Sequence, residues 1–331
     1  MRSKIVATLG RPPTSDTAPA TASSTCVNGI DLSDVYRDTR GYRGLPIKPI
    51  NMNNVRFDEI GYWSEIKLDI VREYAQAYST VMAKQECIRK YLYIDAFSGA
   101  GVHISKQTGE YIPGSPLNAL NVQPPFGEYH FIDLDGDKAE HLRQLVGDNQ
   151  NVFVYNEDCN SVLLHKVFSR AHFDDYRRAL CLLDPYGLNL NWDVVQTAGR
   201  MKSVDVFLNF MVMDMNMNVL WKNPDSVSPA QVERMNAFWG DESWRSVLYR
   251  KPRDLLPGFD DLEEKLPNAD VAEAYRKRLQ DVAGFEHVPE PIPMRNTSGA
   301  VIYYLFFASQ KEVAAKIVRD IFDKYRNKGR S

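Results

Sequence analysis

From Tyr62 to Met82 the residues Trp63, Ile66, Ile70, Tyr74, Ala77 and Val81 recur at steps of three and four. That spacing lays them along one face of an amphipathic helix. The pattern then changes. Lys90–Asp95 is a short β-rich run that leads into a glycine loop ending at Gly101. Three more short apolar runs follow, Glu128–Leu134, Val152–Tyr155 and Ala179–Leu183, and Val204–Val212 makes a fifth. Helical segments, Asp137–Val146 and Ser161–Phe168, lie between them. Strands alternating with helices at this spacing predict a parallel, doubly wound sheet.

Residues 214–284 read as helical and irregular, with Pro224, Pro229, Pro252, Pro257 and Pro267 as breakers. This is an insertion or cap rather than a second strand–helix unit. The chain then returns with Phe285–Met294, a turn at Asn296–Gly299 and Ala300–Ala308, which predict a β-hairpin. A closing helix over Gln310–Tyr325 places Val313, Ile317, Ile321 and Phe322 on one face. Residues 1–45 are rich in Thr, Ser, Ala, Pro and Arg with few large apolar side chains, so residues 1–56 are expected to be a largely disordered leader. The organisation is then a helix and sheet over 57–213, the insertion over 214–284, and a hairpin and helix over 285–331 that complete the same α/β domain.

Composition narrows the function classes. With 44% apolar and 25% charged residues in 331, the chain can bury a sizeable core. No apolar run approaches the roughly 20 residues of a membrane span. The leader's apolar stretch is too short for a signal peptide, and Asp16, Asp31 and Asp34 count against a transit peptide. The four cysteines (Cys26, Cys87, Cys159, Cys181) form no C-x-x-C and no close Cys/His pair, which argues against a disulfide scaffold or a structural zinc site. A cytoplasmic location is the expectation. The net charge of −3 is uneven: residues 1–54 carry seven positive and four negative charges, and residues 311–331 seven and three. The acidic middle excludes a strongly basic nucleic-acid binder.

Four motifs carry candidate chemistry. Asp95-Ala-Phe-Ser-Gly-Ala-Gly101 ends the first strand, and glycines there let a ligand approach the backbone. The G-x-G lacks the further x-x-G of a dinucleotide fingerprint, and an acid opening the loop is a poor neighbour for pyrophosphate. It suits a ligand with an ammonium or sulfonium group, as S-adenosylmethionine (SAM) has; a plain strand-to-helix turn is the alternative. Phe131-Ile-Asp-Leu-Asp135 ends the second strand. Asp133 there can hold ribose hydroxyls, and Asp135 suits a helix N-cap. Glu157-Asp-Cys159 follows the third, where Asp158 is either an acceptor for the adenine amine or another N-cap. The expected cofactor-binding set is therefore Asp95, Phe97, Ser98, Gly99 and Gly101, with Asp133, Leu134, Asp158 and Cys159.

Leu183-Asp-Pro-Tyr-Gly187 follows the fourth strand. Asp184 and the backbone carbonyl of Pro185 can accept the two N–H bonds of a planar amine, while Tyr186 stacks on its ring. Proline fixes the local backbone and keeps that carbonyl aimed. D-P-x-G is also good turn chemistry. The four motifs in this order, closed by a hairpin, point together to a Rossmann-like SAM-binding fold with a mostly parallel seven-stranded sheet.

With these residues in view, the chain resembles the three-Cys-motif partner family, TcmP, over roughly residues 57–325. The resemblance rests on Trp63, Lys67-Leu68 and Tyr74, on Tyr93–Gly101, on Gly114-Ser-Pro-Leu117 with Ala119-Leu120, and on Phe131–Asp135 and Leu183–Gly187. It implies a class I SAM-dependent methyltransferase-like fold, SAM as cofactor and association with a separate three-cysteine protein. D-P-Y-G is also similar to the D-P-F-G of tRNA guanine-N2 dimethyltransferases and, more distantly, to the D-P-P-Y of adenine N6 and cytosine N4 methyltransferases. The aromatic residue stands one place earlier than in D-P-P-Y, which leaves the identity of the amine open.

Other residues carry blander readings. Ser115 before Pro116 is most simply a helix N-cap. His103 reads as a polar loop residue, Met211–Met217 as core packing, and Cys159 and Cys181 as small core residues. Trp244–Arg253 could grip a phosphate backbone or be a solvated helix face. The expected function is methyl transfer from SAM to a nitrogen, a nucleobase exocyclic amine in nucleic acid, with Asp184, Pro185 and Tyr186 at the acceptor and no metal required. The alternatives are a non-catalytic SAM- or nucleoside-binding partner of a three-cysteine protein, and a methyltransferase of small-molecule or protein amines.

Overall fold

The computed structural model describes residues 57–250 and 263–328, so the leader expected over residues 1–56 lies outside the described residues. Seven strands form the central sheet: β1 (Lys90–Asp95), β2 (Glu128–Ile132), β3 (Val152–Tyr155), β4 (Arg177–Leu183), β5 (Val204–Phe210), β6 (Ile292–Arg295) and β7 (Val301–Ala308). Their order is β6-β7-β5-β4-β1-β2-β3. Strands β1 to β5 run parallel, and β7 is antiparallel to both β5 and β6. A parallel 3-2-1-4-5 sheet closed by an antiparallel hairpin on β5 is the class I methyltransferase fold.

Alternation along each strand supplies the two faces. Leu92, Ile94, Cys181, Leu183, Val206, Leu208 and Phe306 point into one core. Tyr93, Phe131, Leu180, Leu182, Phe207, Leu305 and Phe307 point into the other. The second face is covered by α1 (Tyr62–Ala83), α2 (Ser115–Leu120), α3 (Gly136–Val146) and the C-terminal helix Glu312–Lys328. The first face is covered by α4 (Trp192–Met201) and by helices of the 214–284 stretch. Phe238, Trp239, Trp244 and Tyr275 from that stretch share one core with Phe210 and Phe306, and the Phe210 and Tyr275 rings lie 4.5 Å apart. These residues therefore layer onto the sheet.

Several boundaries move for local reasons. The fifth strand ends at Phe210 rather than Val212, because the chain turns at Met211 into α5 (Val212–Asn218). The first hairpin strand pairs only over Ile292–Arg295. Pro289 and Pro291 lack the N–H that a longer ladder needs, and Pro293 is tolerated because β6 is an edge strand. The helix expected over Ser161–Phe168 is one α turn, Cys159–Val162, followed by a π turn over Leu163–Val167 and a 3₁₀ turn over Phe168–Arg170. Cys159 and Cys181 are buried and free, while Cys87 is disulfide-bonded, which the scattered spacing gave no reason to expect. Among the described residues no helix is long and apolar enough to cross a membrane.

Candidate active site

The sheet order reverses between β1 and β4, the place where open α/β sheets bind ligands at their carboxyl ends. Both motif loops start there. Asp95 is the last residue of β1, and Asp184 follows β4 directly. The loop after β1 takes left-handed backbone at Gly99 (φ 61°) and Gly101 (φ 80°). A side chain on Gly101 would strike Leu142 of α3. The loop is tied down at several points. The Gly99 N–H donates to Asp133 Oδ2 at 2.7 Å, and Ser98 N–H donates to the Ile132 carbonyl at 2.9 Å. His141 Nδ1 lies 2.9 Å from the Ala100 carbonyl, and the Gly101 carbonyl accepts from Gly114 N–H.

Above these loops opens a cleft of about 770 Å³, lined in part by Gly99, His103, Ser115, Asp184, Pro185 and Tyr186. That volume lies within the range of small-molecule and cofactor pockets. Residues 57–60 run along its mouth. Glu59–Ile60 pairs with Ile104–Ser105, and the Phe57 ring meets Tyr111 and His141 edge-on. Asp58 Oδ2 accepts from Lys138 Nζ at 2.7 Å and from the Tyr186 hydroxyl at 3.3 Å.

Three residues that the sequence reading gave no role complete the polar floor. Lys67, from α1, is only 8% exposed and pairs with Asp184 Oδ2. Asn209, near the end of β5, donates its Nδ2 to Asp184 Oδ1. Tyr303, on β7, faces the Lys67 ammonium across 5.8 Å. Burial opposes the Lys67 charge, but Asp184, Tyr303 and Asp95 outweigh it and hold its pKa above the ordinary value. Lys67 carried a signal: it stands beside Ile66 and one turn before Ile70 and Val71, so a cation lies on the apolar face. Asn209 carried one as well, as an amide inside the apolar run Val204–Phe210.

Buried polar atoms without a partner gather here. Asp95 Oδ2, His103 Nδ1, Asn209 Oδ1 and the Tyr303 hydroxyl are four of the seven such atoms among the described residues, with the Ser115 and Ser64 side chains the polar neighbours of Asp95 and Tyr303. Leaving such groups unpaired is costly, and three of the four, His103, Asn209 and Tyr303, line the cleft. Burial pushes the fully buried Asp95 carboxyl up to about 7. Burial and the Lys67 charge pull His103 down to about 4, so its ring is neutral near pH 7.

The other expected site residues fall in several places. Phe97, Gly99, Asp184, Pro185 and Tyr186 line the cleft, with Tyr186 64% exposed. Asp133 lies beside it, its second oxygen accepting from Asp135 N–H at 2.9 Å. Asp135 caps α3, accepting from Asp137 N–H and Lys138 N–H. Asp158 caps Cys159–Val162 through Ser161 N–H and is exposed. Leu134 is exposed, the Ser98 hydroxyl bonds the Ile132 carbonyl, and Cys159 packs in the apolar core, where burial pushes its thiol up to about 12. Ser115 is a correction: Gly114 is the N-cap of α2, and Ser115 stands inside the first turn facing the cleft.

The motif loop is also tied to the 214–284 stretch. Asp214 of α5 accepts from Leu188 N–H at 3.1 Å and pairs with Arg234 of α6 (Pro229–Trp239) at 2.6 Å. Gly187 holds φ 63°, and a Cβ there would lie 2.6 Å from Asp214 Oδ2. Gly187→Ala is expected to destabilise the fold by about 1–2 kcal/mol, from the left-handed backbone together with the displaced ion pair. Thermal denaturation checks this.

No family model and no curated protein matches the chain, so the likeness to the three-Cys-motif partner family stays a resemblance. Solved structures do resemble it at low identity. A Legionella pneumophila protein of the DUF519 family matches at 13% identity and TM-score 0.40, over 76% of this chain and 89% of that one. A protein described as an S-adenosylmethionine-dependent methyltransferase from Listeria monocytogenes matches at 12% and 0.35, over 72% and 99%. A Leishmania major SAM-dependent methyltransferase of the DUF858 family matches at 8% and 0.32, over 74% and 82%. These likenesses are too loose to carry weight, and the class I methyltransferase fold stands on strand order and direction.

Proposed function

We propose that the cleft at the β1/β4 switch point binds SAM and that the protein transfers its methyl group to a nitrogen. The observation that carries this reading is the cluster of unpartnered buried polar atoms where the glycine loop meets the Asp184 loop. The residues present fit the cofactor. Asp95 Oδ2 is a buried carboxylate oxygen with no partner in full hydrogen-bond geometry, its carboxyl sharing only the Ser115 hydroxyl and the Phe97 N–H, which leaves it the complement of a ligand ammonium. A side chain on Gly99 would meet nothing closer than His103 at 4.0 Å, so that face of the loop is open to a ligand. Asp133 is held beside Gly99 with lone pairs left for ribose hydroxyls, and Asp158 is the expected contact for the adenine amine. When bound, SAM supplies a methyl group activated on a sulfonium. Asp184 and the Pro185 carbonyl orient the acceptor amine, and Tyr186 at the mouth offers a ring to stack on. The chain's contribution is positioning and exclusion of water.

The acceptor we favour is a nucleobase exocyclic amine, on the strength of Asp184-Pro-Tyr-Gly187. Among the described residues Asp58, Glu59, Asp135, Asp137 and Asp184 line the cleft against only Lys67 and Lys138. That balance suits a cationic cofactor and requires a nucleic-acid backbone to stay outside while the base enters. It also favours the second reading, an amine on a small molecule or protein. Incubation with methyl-labelled SAM and separate nucleic-acid, protein and metabolite fractions tests both, with Asp184→Ala as control. Label is expected in nucleoside amines and absent with the variant. Label confined to protein or metabolites would select the second reading, and none in any fraction, with a three-cysteine partner present, would overturn methyl transfer.

A further inference from the structure

A carboxylate that must receive an acceptor amine would be expected to keep its oxygens free. Asp184 does not: Lys67 takes Oδ2 and the Asn209 amide takes Oδ1. The second bond fixes the Asn209 amide in one sense. Only its nitrogen can donate to a carboxylate, and the reversed amide would set oxygen against oxygen. Asn209 Oδ1 is therefore turned away from Asp184, and it is a buried acceptor with no partner. Asn209 is 1% exposed yet lines the same cleft as Gly99, Asp184 and Pro185. Lys67 reaches Asp184 from α1, so the carboxylate, the amide and the strand ends are held in one frame.

We propose that Asn209 is the residue that receives the acceptor amine, one N–H bonding its Oδ1, while Lys67 and Asn209 together hold Asp184 as a fixed ionised neighbour that orients it. This deepens, and rests on, the reading of the cleft as a SAM site. It assigns the cleft an acceptor that is a primary amine, with one N–H for Asn209 and a second for the Pro185 carbonyl.

Sinefungin tests the proposal without a known acceptor. It carries an amine on a carbon that replaces the sulfur of S-adenosylhomocysteine, so it presents N–H donors at the transfer position. Calorimetric titration of the full chain with each ligand gives an affinity ratio for the wild type, Asn209→Leu and Asn209→Ala. The wild type is expected to prefer sinefungin. Both variants should lose about tenfold of that preference, one hydrogen bond's worth, with S-adenosylhomocysteine affinity within about twofold of wild type. The alanine variant carries the test if the leucine variant does not fold. A ratio unchanged in the Asn209 variants but lost in Asp184→Asn would overturn the assignment and return the role to Asp184. Failure of the wild type to bind S-adenosylhomocysteine would overturn the underlying cofactor reading as well, and is recognisable because it needs no variant.

Discussion

Lys67→Met is expected to lower the unfolding free energy by about 1–2 kcal/mol, less than for a fully buried ion pair because the Asp184 side chain is 26% exposed at the cleft. The reason is the carboxylate left behind. Asp184 lies close to buried Asp95 and loses the one cation bonded to it, while its Asn209 bond remains. Lys67→Met with Asp184→Asn should recover most of the loss, because the stranded charge goes with its partner. Chemical denaturation of the two single variants and the double variant measures the coupling. Additive losses would mean that Lys67 stabilises through its packing against Tyr303 rather than through the pair. If Asp184 is held for the acceptor as argued, methyl transfer should not return in the double variant even where stability does.

Asp95→Asn is expected to move stability and ligand affinity in opposite directions. Burial raises the Asp95 carboxyl from its ordinary 3.8 to about 7, so the folded protein holds that proton more tightly than the unfolded chain does. Its contribution to stability is therefore present below about pH 4 and is lost as pH rises through 7. At pH 8 the ionised group costs the fold roughly 2–4 kcal/mol, since each tenfold gain in proton affinity on folding is worth about 1.4 kcal/mol. Asp95→Asn should remove most of that cost and flatten the pH dependence of the melting temperature between pH 5 and 8. The same change should weaken SAM about 10- to 100-fold, the range for a lost hydrogen bond to a charged group. Wild-type affinity should fall as pH drops below 7, because the ligand ammonium needs the ionised carboxylate, and the variant should not follow. Melting curves and titrations over that range check both halves. A less stable variant at pH 8, or an affinity with the same pH profile in both proteins, would contradict this account of Asp95.

The sheet was legible because its strands are buried on both faces and separated by helices, so each reads as a short apolar run between turns. The four loop motifs were legible because each follows a strand directly, and the fold brings strand ends together by construction. The cleft's polar floor was harder to see. Lys67 lies on a helix and Asn209 and Tyr303 within strands, 117 and 25 residues from Asp184 in the two bonded cases. Their role exists only once α1 lies across the sheet. Capping was legible at Asp135, read as an N-cap, and open between two readings at Asp158. Asp135 and Asp158 have the chemistry of both a ligand contact and an N-cap, and the backbone N–H groups nearest to them make the cap bonds. At Ser115 the cap falls one residue earlier, because a proline at 116 suits the first turn with the serine already inside it.

The central claim is that this cleft is a SAM site. Calorimetric titration of the full chain with S-adenosylhomocysteine tests it most directly, with Asp133→Ala alongside. Asp133 anchors the Gly99 loop and is the proposed ribose contact, so its loss should weaken binding by more than tenfold in a protein that remains folded. Saturable one-to-one binding with that loss is the expected result. No saturable binding by folded wild-type protein, alone or with a three-cysteine partner present, would contradict it.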